Sequence, residues 1–591
     1  MQLLRSAAKA RLLGHGPKNL YAIVLQHERG VSDFISLRGC FLIRTAPFPV
    51  KSRGVSTQPP APAPQNNPAA RLLRLLRPSH SHTAYTATIL LMTSAILSRL
   101  MGLVRVKYIA LVFGRGTEAD ALNAAFVLPD MISYFLVGGA ASITFVTILT
   151  GYRDTGREAE GERSLSVILT TMALVLGGAI VLAEFAAPWF IRAWFPGFDP
   201  AKAALCTLLT RILLPAQLCF FAGGVFGAVL LVRKQFYAQA VTPLIYNAGT
   251  IVGGLLLAHR IGVSSLAIGT VAGALAGPFL INAAGAFRVG TRYRPILDWH
   301  DEGFREWVRL SIPLMVGISL VTADNWIIAH FASNTGGGVS VMNYAKQLFT
   351  APMAVLAQAA GAASMPFFAN LWAQNKRYDF AVEVANSVSR VTALGLLAAS
   401  GMIALAPALV DLVLRGGRYT SLDTAQTAAY FAIFSISLCL WSAQAIYARA
   451  FYAAGNTLVP MLAGTIVTVV SLPIYAVLYR LHGTPGLAIA SDVGIALQTL
   501  SLAVLLHQRR MVSLASLDYR ELARCLATGI AAGAAVWGAT LASAHWFPAH
   551  SRWIDLAQLL FGSALWLLIA GWLLDRFGSA LPRATLKRLH L

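Results

Sequence analysis

The stretch SLSVILTTMALVLGGAIVLA, residues 164–183, contains no charged side chain. A run of this length is long enough for an α-helix to cross the roughly 30 Å hydrocarbon core of a bilayer. It lacks the alternation of apolar and polar residues that a transmembrane β-barrel strand requires. Apolar runs of about 20 to 30 residues recur along the chain, so the sequence predicts an all-α polytopic membrane protein.

The composition of the whole chain agrees with this prediction. Of the 591 residues, 57% are hydrophobic and 12% are charged, against roughly 25% charged in an average soluble protein. The mean hydropathy is +0.63, so a soluble globular enzyme does not fit. The formal net charge is +22, but the basic residues are not gathered in a polar domain that could dock on a duplex. We therefore expect no nucleic-acid partner.

The chain divides into a leading segment and a series of apolar spans. Residues 1–82 are rich in Arg and Lys, have only Glu28 and Asp33 as acids, and include a proline-rich tract, which predicts a basic, disordered extension. About fourteen helical spans follow. The predicted spans are 86–112, 119–150, 164–194, 203–232, 240–259, 264–287, 306–332, 340–371, 380–414, 424–453, 458–480, 485–507, 520–545 and 553–576.

An internal repeat groups these spans. The run GAASITF at 139–145 matches GAASMPF at 361–367, and Asn123 matches Asn343 at a nearly equal offset. The repeat predicts two six-helix lobes followed by an extra helix pair, which is typical of an alternating-access carrier with its substrate site between the lobes. The predicted units are an N-lobe at 83–300, a C-lobe at 301–510, and a C-terminal helix pair with a basic tail at 511–591.

The loops indicate orientation and exclude several functions. Most loop Arg and Lys residues fall on one side of the predicted layout, which places both termini in the cytoplasm by the positive-inside rule. The loops are too short for an extramembrane catalytic domain. The chain has no phosphate-binding G-x-x-x-x-G-K-[ST] loop, no H-E-x-x-H motif and no zinc spacing of Cys and His. We therefore expect no cofactor, no metal and no enzymatic activity.

Charged residues inside the first spans are candidate functional residues, because a charge in the bilayer is costly unless it faces a cavity or a partner. Arg99, Gly102 and Arg105 lie on one slanting ridge of the first span. Arginine suits two-pronged contacts with phosphate, and the glycine would allow close approach. The ridge therefore predicts a binding strip for an anionic substrate. Asp120 is either a counter-ion for these arginines or a first-turn acid of its helix.

Three further charges belong to the same set of candidates. Lys346 could add a cation from the second lobe to the same cavity, with Asp324 as its partner. That pair is either structural or linked to a proton or another monovalent ion. Asp130 follows Pro129 at a predicted helix kink, where freed polar groups can serve a cavity, and it is a candidate for gating or ion coupling.

The opening of the apolar region resembles a known family. The run SRLMGLVR at 98–105, followed by Phe113-Gly114 and AFVLP at 125–129, is similar to the start of the MurJ (MviN) family, the lipid II flippases of the MOP exporter superfamily. The likeness extends over about 86–576. It implies a multi-pass, monomeric protein of the bacterial inner membrane. It also implies that Arg99, Arg105 and Asp120 line the cavity that holds the lipid diphosphate.

The sequence also departs from this family at several charged positions. The family has acids or arginines where this chain has the following residues: Val106, Ser133, Gly138, Lys346, Gln347 and Thr350. Lys346 is a candidate replacement for a missing cavity arginine. The departures leave open whether the lipid-linked substrate is the same.

The expected function is alternating-access flipping of a polyprenyl-diphosphate-linked sugar, with lipid II of peptidoglycan biosynthesis as the first candidate. The expected partners are this lipid-linked precursor, the surrounding membrane lipids and a monovalent ion. Four alternatives remain. The first is flipping of another lipid-linked oligosaccharide of the exopolysaccharide or O-antigen type, and the second is multidrug export within the same superfamily. The third is an intramembrane enzyme acting on polyprenyl phosphate, and the fourth is a scaffold without transport.

Overall fold

The computed structural model describes residues 84–137, 141–317, 320–546, 551–579 and 581. Within these ranges the regular structure is helical and no β-strand occurs, which confirms the all-α prediction. The predicted disordered extension at 1–82 and most of the basic tail lie outside the described residues.

The helices of the first half follow the predicted layout, with several spans broken into shorter helices. They are α1 (Ala84–Phe113), α2 (Thr117–Ala125), α3 (Val127–Ile132), α4 (Ala141–Asp154), α5 (Glu158–Trp194), α6 (Pro200–Leu213), α7 (Ala216–Val232), α8 (Tyr237–Ile261), α9 (Ser264–Ala274) and α10 (Asn282–Arg288). Two π-helical turns, Ser133–Val137 and Leu275–Ile281, follow α3 and α9 directly.

The second half and the C-terminal pair continue in the same manner. The helices are α11 (Glu302–Val316), α12 (Leu320–Ala332), α13 (Gly338–Met353), α14 (Ala360–Ala373), α15 (Arg377–Ala404), α16 (Ala406–Leu414), α17 (Ser421–Ile436), α18 (Leu438–Ala453), α19 (Leu458–His482), α20 (Thr484–Gln508), α21 (Tyr519–Trp546) and α22 (Arg552–Arg576). A π-helical turn, Ala354–Ala359, joins α13 to α14.

Ten helical stretches of the described chain are long and apolar enough to cross a membrane, and the bent pair α17–α18 would make eleven. The first, second and seventh predicted spans are not among these stretches. The first carries Arg99, Arg105 and Lys107, the second contains a π-helical turn, and the seventh is divided between α11 and α12. The count of fourteen therefore stays a prediction.

Pro129 lies at a break in the second span, as the sequence predicts. α2 ends at Ala125 and α3 begins at Val127. Proline has no backbone N–H, so the Ala125 carbonyl loses its usual helical donor. The Thr210 hydroxyl of α6 donates to that carbonyl at 3.3 Å. This replacement lets the helix break inside the bundle without leaving the carbonyl unsatisfied.

The largest buried core joins helices from both halves. It includes Ile109 of α1, Leu122 of α2, Trp326 of α12 and Tyr344 of α13. All described residues belong to one compact unit. The predicted division into lobes near residue 300 therefore stays a prediction, and the meeting of α1–α3 with α12–α13 is the feature that positions the candidate site.

Candidate functional site

A cavity of 280 Å³ lies where helices of the two halves meet. We call it the central cavity. Its walls come from α1, α2, α3, α8, α9, α12 and α13. Its charged lining residues are Arg105, Asp130 and Lys346, and its side-chain amides come from Asn123, Asn325, Asn343 and Gln347. A concave site with a few convergent charged groups is the usual form of a ligand site.

The first-half wall carries a group of three residues that we call the Arg105 cluster. Arg105 of α1 is partly buried, and it interacts electrostatically with the Asp130 carboxylate and the Tyr246 hydroxyl. Asp130 is exposed to the cavity. The break at Pro129 places this carboxylate beside α1, because α3 starts a new helical segment there. The cluster combines an open cation with an open carboxylate.

The second-half wall carries a group of four residues that we call the Lys346 cluster. The Lys346 ammonium donates to the Asp324 carboxylate and forms an ion pair with it. Asp324 is 2% exposed and also accepts hydrogen bonds from the Tyr475 hydroxyl and, at 2.9 Å, from the Ser491 hydroxyl. The structure thus brings Lys346 and Asp324 together as the sequence predicts, and the carboxylate is fully occupied by donors.

Asp120 lies apart from the central cavity, in contrast to the sequence expectation. It is completely buried at the start of α2. It accepts hydrogen bonds from the Gly337 N–H at 2.9 Å and from the Ser340 N–H and hydroxyl at 2.9 and 2.8 Å. Its counter-ion is Lys202 of α6, with Nζ 3.2 Å from Oδ2. A carboxylate with four donors has no free face for a substrate, so we interpret Asp120 as a contact between halves.

Asp120 lies at one edge of the bundle where turns from both halves contact one another. We call this region the latch edge. It consists of the turns at 114–116, 195–199, 333–337 and 415–420. A Cβ added to Gly197 would meet the Asn334 backbone at 2.3 Å, so the second and third turns touch. An ion pair between Arg115 and Asp423 at 2.8 Å joins the first turn to the start of α17, and one between Glu118 and Arg418 at 3.0 Å joins the first turn of α2 to the fourth turn.

Arg99 and Gly102 are not among the residues that line the central cavity. Arg99 is exposed, and no hydrogen bond or ion pair joins it to another described residue. Outside its own helix, no atom of the described residues lies within 4 Å of a Cβ built on Gly102, so none of these residues packs closely against the glycine. The ridge predicted from residues 99, 102 and 105 therefore brings only Arg105 to the cavity, and the binding role of the other two stays a prediction.

Several residues near the site were missed by the sequence interpretation. Tyr246, Tyr475 and Ser491 contact the charged residues, and Gln217 lines a neighbouring cavity described below. The only signal for them was a polar side chain within an apolar span, which is common in membrane helices and carries no spacing pattern.

The residues at the departures from the family occupy varied places. Val106 and Gln347 line the central cavity, and Ser133 lines the neighbouring one. The Thr350 hydroxyl donates to the Lys346 carbonyl at 2.7 Å, one turn back in α13. Gly138 is outside the described residues. Among those described, no group of three or more His, Cys, Asp or Glu residues could hold a metal ion.

Comparison with known proteins places this chain in a family. The family model described as "Lipid II flippase MurJ" matches residues 109–556, which is most of the chain. The chain belongs to the MurJ family. Probable lipid II flippases MurJ of Haemophilus influenzae and Vibrio cholerae are 29% and 27% identical to it. The matches cover 80% and 76% of this chain, and 98% and 88% of those proteins. The MurJ family is a family of flippases, not of enzymes.

Solved structures show the same fold. A lipid II flippase MurJ in an inward closed conformation matches with a TM-score of 0.70 and 19% identity, over 83% of this chain and 99% of that one. A multidrug resistance MATE family transporter of the MOP superfamily, in an inward-facing conformation, matches with a TM-score of 0.58 and 13% identity, over 70% of this chain and 94% of that one. At these identities the likeness concerns the fold alone.

Proposed function

We propose that this chain is a lipid II flippase that moves its substrate from the inner to the outer leaflet by alternating access. The observation that carries this proposal is one cavity that receives a cation from each half, Arg105 from α1 and Lys346 from α13. Arginine and lysine both bind phosphate oxygens, the first through a planar fork and the second as a point charge. Membership of the MurJ family supports lipid II as the substrate.

The diphosphate would lie against Arg105, with Lys346 facing it from the other wall. The latch edge would face the outside of the cell. In this conformation the substrate would therefore enter the central cavity from the opposite edge of the bundle. That edge carries most loop Arg and Lys residues, for example Arg153, Arg233 and Arg292. The positive-inside rule supports its placement in the cytoplasm, together with both termini. The cell compartment would be the bacterial inner membrane, and the active unit a monomer.

Charge balance bears on the energetics. The formal charges of Arg105, Asp130, Lys346 and Asp324 cancel, so a diphosphate would bring net negative charge into the cavity. Moving an anion outward from a negative interior gains roughly 2.3 kcal/mol per charge per 100 mV. Asp130, which is exposed to the cavity, is the group that would take up a proton or another monovalent cation with the substrate.

Multidrug export is less well supported than lipid flipping. Its support is the fold shared with a MATE transporter, whereas the family match points to the flippases. The geometry also favours an anionic substrate, because the Asp324 carboxylate is occupied by donors from the protein and Asp130 faces Arg105. An organic cation would find only one open carboxylate next to a fixed positive charge.

The test is outward movement of labelled lipid II in proteoliposomes containing the purified chain. We expect wild-type protein to expose the lipid on the opposite leaflet and Arg105→Ala to abolish this exposure. The control is Arg211→Ala, because Arg211 forms an exposed pair with Glu184 on neighbouring helices, and such pairs contribute about 0–1 kcal/mol. Equal rates for wild type and Arg105→Ala, at equal protein levels, would contradict the proposed site.

A second experiment separates the substrates. In cells depleted of their own lipid II flippase, expression of this chain should restore growth and normal shape, because peptidoglycan synthesis needs the exported precursor. Well-expressed protein that fails to complement, yet moves another polyprenyl-diphosphate-linked glycan in proteoliposomes, would show that the substrate is a different lipid-linked oligosaccharide.

A further inference from the structure

A second cavity, of 250 Å³, lies within the helices of the first half. We call it the side cavity. It is enclosed by α3, α6, α7, α8 and α9 and by the π-helical turn after α3. Its polar lining residues are Asp130, Ser133, Gln217, Tyr246 and Thr270, and its aromatic ones include Phe126 and Phe220. Its volume corresponds to roughly eight water molecules at about 30 Å³ each.

Gln217 is the feature of this cavity that calls for a ligand. The side chain belongs to α7 and is only 6% exposed. It forms no hydrogen bond with any residue that the structure describes. The Gln217 amide is not among the fully enclosed unsatisfied groups of the described residues, so it faces the open space of the cavity, where water or a ligand can bond with it. Ser133, on the facing π-helical turn, is also without a hydrogen-bond partner among the described residues. The cavity therefore presents unused donors and acceptors.

The side cavity adjoins the central cavity. Both are lined by Phe126, Asp130, Tyr246 and Thr270. Arg105 lies at their junction, since it interacts with Asp130 and Tyr246. A diphosphate held by Arg105 in the central cavity would thus have its next covalently attached group at the mouth of the side cavity.

We propose that the side cavity binds the sugar ring that is attached directly to the diphosphate of the substrate. This inference rests on the proposed function and names the part of the substrate that this region recognises. Sugar hydroxyl and amide groups both donate and accept hydrogen bonds. The Gln217 amide, the Ser133 hydroxyl and the Asp130 carboxylate match them with donors and acceptors of both kinds.

The aromatic lining favours a sugar over a monovalent cation. Phe220 and Tyr246 pack edge to face, with ring centroids 5.3 Å apart. They give the cavity an apolar wall suited to the C–H faces of a pyranose ring. An alkali cation needs several oxygens converging at one short distance, and it would leave most of a 250 Å³ space empty. The volume and the mixed lining therefore fit a sugar ring.

The test compares two lipids on the purified full-length chain in nanodiscs. One is a polyprenyl diphosphate that carries its sugar, and the other is the same polyprenyl diphosphate without the sugar. We expect Gln217→Leu to weaken binding of the sugar-bearing lipid by about tenfold, the effect of losing hydrogen bonds to a buried group. Binding of the sugar-free lipid should not change.

Two further variants keep this test decisive. Ser133→Ala removes a smaller, partly exposed group. It should weaken binding of the sugar-bearing lipid alone, by a few fold, and it keeps the test available if Gln217→Leu does not fold. Gln498→Leu is the matched control, because Gln498 is a buried glutamine of α20 in the second half with an unpartnered amide oxygen. We expect equal affinities for both lipids in Gln498→Leu and wild type.

The possible results separate the two proposals. The Gln217 and Ser133 variants could bind both lipids equally more weakly, or bind both as well as wild type does. Either result would overturn the sugar subsite alone. Sodium-dependent binding that is lost in Gln217→Leu, with no difference between the lipids, would identify a cation site instead and also overturn it. Wild-type protein that binds neither lipid would overturn the proposed function and, with it, this inference.

Discussion

The Arg105 cluster and the Lys346 cluster contain the same kinds of side chain, but they differ in how far their charges are neutralised by neighbouring residues. Each combines a cation, a carboxylate and a tyrosine that come from three different predicted spans. In the Lys346 cluster, the Asp324 carboxylate is 2% exposed and receives three donors. In the Arg105 cluster, Asp130 is exposed to both cavities and Arg105 remains accessible. One half therefore offers open charges, whereas the other has neutralised its own.

This difference indicates that the two halves do not contribute equally to function. A buried and fully bonded ion pair holds α12, α13, α19 and α20 together, and removal of one partner would leave an uncompensated charge. An open cation in a cavity contributes little to folding but is free to bind an anion. We therefore expect mutations in the Lys346 cluster to affect stability first and mutations in the Arg105 cluster to affect binding first.

The largest expected effect tests the stability side of this comparison. Asp324→Asn should lower the free energy of unfolding by about 3 kcal/mol, because the Lys346 ammonium loses its buried counter-charge. Asp130→Asn should change it by less than about 0.5 kcal/mol, since that carboxylate is open to the cavity. Thermal unfolding of both variants in the same detergent measures the difference. Equal losses would show that the two clusters are equally structural.

The next effect tests the binding side. Arg105→Gln should weaken binding of a polyprenyl diphosphate by about 10- to 150-fold, since a hydrogen bond to a charged group contributes about 1.5–3 kcal/mol. Lys346→Gln should weaken it by only about 2- to 3-fold, because Asp324 already occupies much of the ammonium. Titration of the lipid against each variant in nanodiscs gives the two constants. A larger loss of affinity for Lys346→Gln than for Arg105→Gln would show that the Lys346 cluster contributes more to binding.

The smallest effect concerns the two tyrosines. Tyr475→Phe removes one donor from Asp324 and should lower the free energy of unfolding by about 1 kcal/mol. Tyr246→Phe should leave stability unchanged and weaken binding of the sugar-bearing lipid by a few fold, because Tyr246 lines both cavities and the change removes its hydroxyl. The free energy of unfolding and the affinity for the sugar-bearing lipid are both measured for each variant. Identical behaviour of the two variants would contradict the distinction between the clusters.

Part of the candidate site was visible in the sequence because charges inside apolar runs are rare. Arg105, Asp130 and Lys346 were selected on that ground, and all three line the central cavity. The pairing of Lys346 with Asp324 was also predictable, since a buried lysine needs an acid and few were available. Gln217 and Tyr246 could not be selected in this way, because uncharged polar residues occur throughout membrane helices.

Asp120 shows which contacts the local sequence could not reveal. Its position at the start of a helix left two interpretations open, and the arginines of the first span were the nearest candidates for a counter-ion. The actual partners, Lys202 and the first turn of α13, come from distant parts of the chain. Nothing in the local sequence of α2 indicates that the N-terminus of another helix lies against it.

The sequence by itself determined that this protein is a bundle of membrane helices, because long uncharged apolar runs have one stable form in a bilayer. It also determined which charges had to face a cavity or a partner, since the cost of a lipid-exposed charge applies to each residue separately. Only the tertiary structure decided which charges are open and which are neutralised. That distinction depends on donors such as Tyr475, Ser491 and Ser340, which other helices bring from more than a hundred residues away.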